Sequence, residues 1–287
     1  AILYNSQYGP SVKLAEQYGS ARSIPSTQRC AISVPPFVDI GIADFQQSIV
    51  KPLVACLSKH QALDRIEAIA VVHGVPRRLR VDAQTVVSLN AALMIARSTV
   101  TSNGQLILGK PPGKQASCAG QPCVAATWPN PYQSGVFQPA YVKELGAVTH
   151  RMWLVTSLDG FTPKDVEQLI ARAGLAETQL VQGQWLLMRA ADLPRSYLDK
   201  EYPHVAEKLA GLVSAKVNVV DFNAQLSGKT LMAFVTGTQS LPKAFVTSNT
   251  WLPGALVDNL TSLGAVPQNF APDGPHMQVS VARFVAA

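Results

Sequence analysis

Polar residues that could do chemistry stand at the points where apolar stretches of this chain end. In an open parallel α/β sheet, the carboxyl ends of the strands form the edge at which ligands bind. If the sheet is parallel, polar residues at those ends converge along one edge. The residues that this argument selects are Asn5, Ser6, His73, Arg77, Ser157, Asp159 and Thr236.

The strongest of these candidates is His73, which follows an apolar run at 68–72. A near-continuous apolar run of this length, bounded by breakers, is typical of a strand buried on both faces. Gly74 lets the chain turn sharply, and Pro76 cannot donate to a sheet ladder. We therefore expect the strand to end at His73, with Arg77 just beyond it.

One hypothesis for these residues is catalytic. A histidine beside an aspartate can act as a general base for a hydroxyl nucleophile. This predicts a hydrolase in which His73 and Asp159 activate a hydroxyl group. Ser157 or Ser6 would supply that hydroxyl, and Arg77 would hold an acidic group of the substrate.

The other hypothesis is non-catalytic binding. In it, His73 closes a strand and Asp159 braces a turn before a capped helix. The sequence has no Gly-x-Ser-x-Gly motif that would mark a serine as a nucleophile, and this favours the non-catalytic hypothesis. The residues predicted to contact a ligand are Asn5, Ser6, Arg77 and Thr236.

The cysteines are Cys30, Cys56, Cys118 and Cys123, and none has the spacing of a zinc or haem site. Cys118 and Cys123 close a tight loop, which predicts a disulfide and an oxidising compartment. We expect Cys30 and Cys56, on a predicted strand and helix, to be small buried apolar residues rather than a second bridge. The cysteine spacing therefore predicts no metal site. No nucleotide-binding glycine motif is present, so the sequence predicts no cofactor either.

The composition narrows the choice of partner. Charged residues make up 15% of the 287 residues, against the ~25% usual for soluble domains. A surface poor in charge is typical of secreted proteins and of proteins that hide surface in an assembly. The net charge is +6 and the pI about 9.2, but the basic residues are scattered and no nucleic-acid motif accompanies them. No apolar run approaches the ~18 residues of a membrane span.

Alternating elements predict one three-layer α/β domain over 1–287, with a mostly parallel sheet and helices on both faces. A segment at 99–148, rich in Gly, Pro, Ser and Gln, is too long for an ordinary connection and is predicted to be an irregular insertion. Strands are predicted at 2–4, 30–34, 66–73, 152–156, 184–188, 216–220 and 231–236. Helices are predicted at 11–19, 44–59, 82–97, 203–213, 253–263 and 277–287, and after the N-cap Thr162.

Several short motifs occur in order along the chain: Tyr4-Asn5-Ser6, Gly74-Val75-Pro76, Leu158-Asp159-Gly160, and Pro253-Gly254-Ala255 before Leu260-Thr261-Ser262. In this order they resemble a bacterial family of uncharacterised exported proteins that has no assigned activity. The resemblance implies an exported α/β protein that continues past residue 287 into a glycine-rich stretch with a further strand. The chain departs from that family's pattern at Ser157, where the family tends to carry arginine, and at His73, which is not generally histidine there.

The favoured expectation is therefore an exported, secreted or periplasmic, non-catalytic binding or assembly protein. Its partners would be other protein chains or copies of itself, with no nucleic acid and no cofactor. The chain opens directly on a strand and closes without a C-cap glycine, so we expect a processed chain whose targeting segment is gone. The alternative is a hydrolase with a site based on His73 and Asp159.

Overall fold

A computed structural model describes most of the chain. The described residues are 1–83, 86–96, 117–118, 121–122, 141–145, 148–178, 183–211, 216–261, 264, 266–270 and 278–287. The backbone contacts divide the chain into two compact units, unit 1 (Ala1–Ser157) and unit 2 (Leu158–Ala287). Each is described by itself, and the prediction of one domain over 1–287 stays a prediction. In the described part, no helix is both long and apolar enough to cross a membrane.

The predicted α/β class is confirmed: the fold is three-layered, with mostly parallel sheets and helices on both faces. The parallel strands form two four-stranded sheets rather than one continuous sheet. The insertion predicted at 99–148 lies largely outside the described residues. So does Cys123, and with it the predicted Cys118–Cys123 disulfide.

Unit 1 is built on a sheet in the order β2-β1-β4-β11. Its strands are β1 (Ile2–Asn5), β2 (Arg29–Ile32), β4 (Ala68–Val72) and β11 (Leu154–Leu158), at which the unit ends. β1 pairs in parallel with both β2 and β4. Numbered along the chain within the sheet, the order is 2-1-3-4.

Smaller ladders complete the strands of unit 1. A three-stranded sheet has the order β3-β5-β6, and two antiparallel pairs are β7 with β8 and β9 with β10. Their bounds are β3 (Ile40–Gly41), β5 (Arg78–Arg80), β6 (Val86–Ser88), β7 (Ser117–Cys118), β8 (Gln121–Pro122), β9 (Tyr141–Leu145) and β10 (Val148–Met152). The helix predicted at 82–97 is wrong in its first part, because Val86–Ser88 is a strand paired with β5. Val86 and Val87 are β-branched and suit that ladder.

The helices of unit 1 are α1 (Gly9–Ala21), α2 (Ile42–Asp44), α3 (Lys51–Lys59) and α4 (Leu89–Ala96). A π-helical stretch, Phe45–Val50, joins α2 to α3 just before Pro52. Because proline has no N–H for the α-helical ladder, Pro52 is expected to distort the helix predicted at 44–59, and the wider π-helical turn lies just before it. The buried side chains of this region recur every four residues, as expected for one face of an amphipathic helix: Phe45, Ile49, Leu53 and Leu57.

A disulfide joins Cys30 on β2 to Cys56 on α3, so the expectation that these cysteines are unbridged is wrong. The reason is tertiary. α3 packs on β2, with Leu53 and Leu57 buried in the same core as Cys30, and the two cysteine Cα atoms lie 5.8 Å apart, within the range of a disulfide. The bridge therefore ties a strand of the sheet to the helix that covers it.

Unit 2 is built on a wholly parallel sheet in the order β13-β12-β14-β15. Its strands are β12 (Gln184–Met188), β13 (Val217–Val220), β14 (Thr230–Thr236) and β15 (Thr250–Asn259). Its helices are α5 (Pro163–Thr178), α6 (Tyr202–Ala210), α7 (Lys243–Thr247) and α8 (Ala282–Val285), with 3-10 turns at Leu193–Leu198 and Pro267–Phe270. The predicted cap of α5 is confirmed, since Thr162 N donates to Asp165 Oδ2 at 2.8 Å and Asp165 N donates to Thr162 Oγ1 at 3.3 Å.

The helix predicted at 253–263 is wrong, because most of that segment belongs to β15. The pairing with β14 shifts between Leu231, which lies opposite Trp251, and Ala233, which lies opposite Leu256. Pro253 and Gly254 fall in this irregularity, and Gly254 has a φ of +80°. A proline is tolerated at a bulge in an edge strand because its missing N–H breaks no ladder bond there. The helix predicted at 277–287 is reduced to the single turn of α8.

Candidate functional site

The strand order of unit 1 creates a switch point, a place where successive connections leave a parallel sheet on opposite sides. The strand that follows β1 lies on one side of it, and the strand that follows β4 lies on the other. A crevice opens at the carboxyl ends of such a strand pair. Asn5 ends β1, Ser6 follows it, and His73 follows β4 directly. The structure thus brings these predicted residues to one edge.

Asn5 is completely buried and all its polar groups are occupied. Its Nδ2 donates to the carbonyl oxygens of Val34 at 2.8 Å and Gly74 at 2.9 Å. Its Oδ1 accepts from the backbone N–H of Gln7 at 3.1 Å and, over a longer 3.5 Å, of Val34. An asparagine side chain has two N–H donors and one oxygen with two lone pairs. Asn5 therefore joins the loops that follow β1, β2 and β4.

The candidate hydroxyl groups also have bonds within the fold. Ser6 Oγ donates to the carbonyl oxygen of Ile32 at 2.8 Å. Ser157, on β11 beside β4, accepts from Asn90 Nδ2 at 2.9 Å. Each serine is thereby held by a neighbouring element of unit 1.

His73 is only 4% exposed and lies in a group of rings. Its ring centroid is 4.9 Å from that of Phe37, edge to face, and 6.0 Å from that of Tyr8. Tyr8 and Phe37 pack against each other at 5.2 Å, also edge to face. We call Tyr8, Phe37 and His73 the ring cluster. Such pairs are worth about 0.5–1.5 kcal/mol beyond the area that they bury.

The backbone around the ring cluster is unusual at two positions. Gly74 has a φ of +97°, and a Cβ there would overlap the ring of Tyr8. Phe37 has a φ of +62°, which costs a bulky residue roughly 1–3 kcal/mol. Ring contacts hold Phe37 in that conformation, and strain of this kind clusters at ligand-binding sites. Phe37 and Tyr8 are site residues that the sequence argument missed.

The arginine cluster next to His73 separates into two parts. Arg78 and Arg80 point to the same side of β5 and both bind Asp39. Arg78 does so in a bidentate pair, at 2.9 and 2.8 Å, and Arg80 Nη2 lies 3.0 Å from Asp39 Oδ2. Arg77 instead places its Cζ 5.2 Å from the ring centroid of Phe37. The positively charged guanidinium of Arg77 therefore makes a cation–π contact with the ring of Phe37 in the ring cluster.

The remaining predicted residues belong to unit 2. Asp159, which directly follows β11, accepts a bond from Gly160 N at 2.9 Å, as in a turn. Thr236 ends β14 and is 1% exposed. It lies in the second sheet, so it is not on the sheet edge that carries Asn5 and His73. No signal in the sequence divides the predicted strands between two sheets.

No group of three or more His, Cys, Asp or Glu side chains is placed to hold a metal ion among the residues that the structure describes. Comparison of the chain with protein-family models, with curated proteins and with solved structures finds no significant match. The proposal for its function therefore rests on the geometry of the site.

Proposed function

We propose that the chain is an exported, non-catalytic protein that binds another protein chain through the ring cluster and Arg77. The observation that carries this proposal is the position of the Arg77 guanidinium over the half-buried ring of Phe37, which packs against Tyr8 and His73 at the switch point of unit 1. Aromatic residues and arginine are the side chains most enriched at the energetic centres of protein interfaces.

The neighbouring polar groups support binding over catalysis. Asn5 joins three loops, and the hydroxyl groups of Ser6 and Ser157 bond to Ile32 and Asn90. Asn5 fixes the loops that carry the rings, and the two serines are engaged in bonds within the fold. A stacked guanidinium is pre-organised to pair with a carboxylate. The partner is thus a protein surface that presents an acidic side chain. The net charge of +6 disfavours a second copy of this chain, because like charges repel.

The disulfide of unit 1 supports the exported location. Stable disulfides form in oxidising compartments and are rare in the cytosol. The Cys30–Cys56 bridge links elements that are buried against each other, which is the arrangement of a structural bridge.

The test is to purify the protein from its source, measure the native mass of the particle, and repeat this with Arg77→Gln. Arg22 is the matched control, because its Cζ lies 6.0 Å from the ring centroid of Tyr18 on α1. We expect the wild type and Arg22→Gln to retain a defined partner. Arg77→Gln should bind it at least about tenfold more weakly, as expected when one member of a charge pair is lost from an interface.

A monomeric particle without a defined partner would contradict this proposal. So would equal partner affinity for Arg77→Gln and the wild type. A particle made only of copies of this chain would also contradict the proposed acidic partner and would show self-association instead.

The second candidate is a hydrolase in which His73 is the general base for a hydroxyl of unit 1, such as that of Ser157. The position of His73 at a switch point favours it, because active sites form at such crevices. His73→Phe keeps a ring in the cluster but removes the base, so it separates the two functions. A hydrolase would lose turnover of ester, peptide or phosphoester substrates, whereas a binding protein would keep its partner.

A further inference from the structure

Unit 2 has a switch point of its own, between β12 and β14. The strand after β12 lies on one side of it, and the strand after β14 lies on the other. The loops that follow these strands touch, since Ala191 N donates to the carbonyl oxygen of Gly237 at 2.9 Å. A Cβ at Gly237 would lie 2.6 Å from the carbonyl oxygen of Arg195, so the approach requires glycine. The loops that follow β12 and β14 therefore meet directly at the switch point of unit 2.

Two buried polar atoms flank this contact. Thr236 Oγ1 and Asp192 Oδ1 have no hydrogen-bond partner within the part of the chain that the structure describes. Thr236 immediately precedes Gly237, and Asp192 immediately follows Ala191. Asp192 is 37% exposed as a side chain, but its Oδ1 is buried, and its Oδ2 pairs with Arg195 Nη1 at 2.6 Å.

The unpaired hydroxyl of Thr236 is unfavourable for folding. A buried hydroxyl without a partner loses its bonds to water and gains nothing in return. Valine has nearly the same shape and suits the end of a strand, so it would avoid this loss. The nearby Thr238 differs, because its hydroxyl donates to Ser240 O and accepts from Ser240 N. An unpaired buried polar group in a native fold calls for an explanation, and a bound ligand is one.

We propose that unit 2 binds a small neutral polyhydroxylated molecule, such as a monosaccharide, at this switch point, with Thr236 Oγ1 and Asp192 Oδ1 as its polar contacts. A ligand hydroxyl can donate to the carboxylate and can either donate to or accept from the threonine. The Asp192–Arg195 pair carries no net charge, so the site favours neither an anion nor a cation. This site is independent of the ring cluster and of the proposed protein partner.

The segment 189–202, which we call the strap, contacts Gly237 through Ala191 N and the carbonyl oxygen of Arg195, so a ligand would reach Thr236 past it. It carries the 3-10 turn Leu193–Leu198 and is held to itself by bonds from Ala190 N to the carboxylate of Asp199. Leu193 is 88% exposed and Tyr197 is 65% exposed. A segment with large exposed apolar side chains and few buried ones opens more easily than a core strand. Opening of the strap admits the ligand, and Tyr197 offers a ring face to its C–H groups.

The test measures the melting temperature of the whole chain with glucose, galactose and ribose, and with acetate and methylammonium as charged controls. We expect the sugars to raise the melting temperature of the wild type and the charged controls to leave it unchanged. Thr236→Val should abolish the sugar effect. Without sugar, it should melt about 2 to 4 °C higher than the wild type, because an unpaired buried hydroxyl is removed. Thr238→Val is the matched control and should melt lower, because its hydroxyl bonds are real.

The inference would be overturned by no response to any of the sugars, by a sugar response that survives Thr236→Val, or by a lower melting temperature for Thr236→Val without ligand. A response to acetate alone would make the site an anion site and would equally contradict it. Because Arg77→Gln tests a different unit, failure of either proposal leaves the other one standing.

Discussion

The two units have the same strand order, but the side chains at their switch points are hydrogen-bonded differently. In each sheet the strands, numbered along the chain, lie in the order 2-1-3-4. In unit 1, Asn5 fills the junction and every one of its polar groups is bonded. In unit 2, the junction holds Thr236 and Asp192, each with a buried oxygen that has no partner in the described part of the chain.

The same strand order thus produces a switch point in both units, and the side chains at each switch point determine what it can bind. Unit 2 also contains a bracing asparagine, Asn259, which accepts from Thr238 N at 2.9 Å and donates to Thr238 O at 3.1 Å. Asn259 ends the edge strand β15 and braces a single loop, the one that follows β14, so it does not join the two loops of the switch point. In unit 1 the asparagine, Asn5, ends the central strand β1 and ties together the loops at the switch point. The groups left available to a partner are therefore the rings and Arg77.

The largest expected effect comes from breaking the junction of unit 1. Asn5→Ala would leave the buried carbonyl oxygens of Val34 and Gly74 without their donor, so we expect a loss of at least about 4 kcal/mol in the free energy of unfolding. Asn259→Ala should cost about 1 to 2 kcal/mol, because it releases one loop. Chemical denaturation of both variants measures the comparison. Equal losses would mean that Asn5 is no more than a local brace.

Removal of the disulfide is expected to have the next largest effect, and it should be confined to unit 1. The bridge closes a loop with a sequence separation of 26. From the entropy of closing such a loop, removal of the bridge is expected to lower the free energy of unfolding by about 3 to 4 kcal/mol. Hydrogen exchange of the Cys30→Ala/Cys56→Ala variant should show faster exchange in β1 and β4. Exchange in β12 and β14 should stay as in the wild type, and a matching increase there would show that the units unfold together.

The sequence predicted the strands well where burial alone determines them. β12 has the predicted bounds, and β4 ends beside His73 as its apolar run requires. The sequence-based prediction failed where contacts with a distant part of the chain determine the local structure. The segment around Pro253 resembles a helix start, but pairing with β14 makes it a strand. The cysteine pair Cys30 and Cys56 could not be recognised, because it depends on how α3 packs on the sheet.

The candidate site was predictable in part for the same reason. The place of His73 follows from the end of an apolar run, which is local information. The role of Phe37 depends on a backbone φ of +62° and on contacts with Tyr8, neither of which residue types or spacing encode. The unpaired oxygen of Thr236 is likewise a property of packing, since Thr238 has the same residue type and a fully bonded hydroxyl.

The smallest expected effect is a pH response at the carboxyl edge of unit 2. Burial, and then the negative charges of Asp199 and Asp258, raise the pKa of Tyr202 to about 12. In the unfolded chain a tyrosine ionises near pH 10. Between these values the unfolded state releases a proton that the folded state keeps, so stability is full below pH 10 and falls as pH rises toward 12. Tyr202→Phe should remove this part of the alkaline loss, while changing stability at pH 8 by about 1 kcal/mol or less.

Denaturation curves of wild type and Tyr202→Phe between pH 8 and about 12 would measure this response as a difference. The difference cancels the contribution of lysines and other groups that titrate in both proteins. Tyr197→Phe is the matched control, because Tyr197 belongs to the same strap but is 65% exposed. If the two curves ran parallel, Tyr202 would not be packed against Asp199 and Asp258. Tyr202, at the end of the strap, would then lie farther from Asp258 on β15, and the carboxyl edge of unit 2 would be more open than the contrast with unit 1 requires.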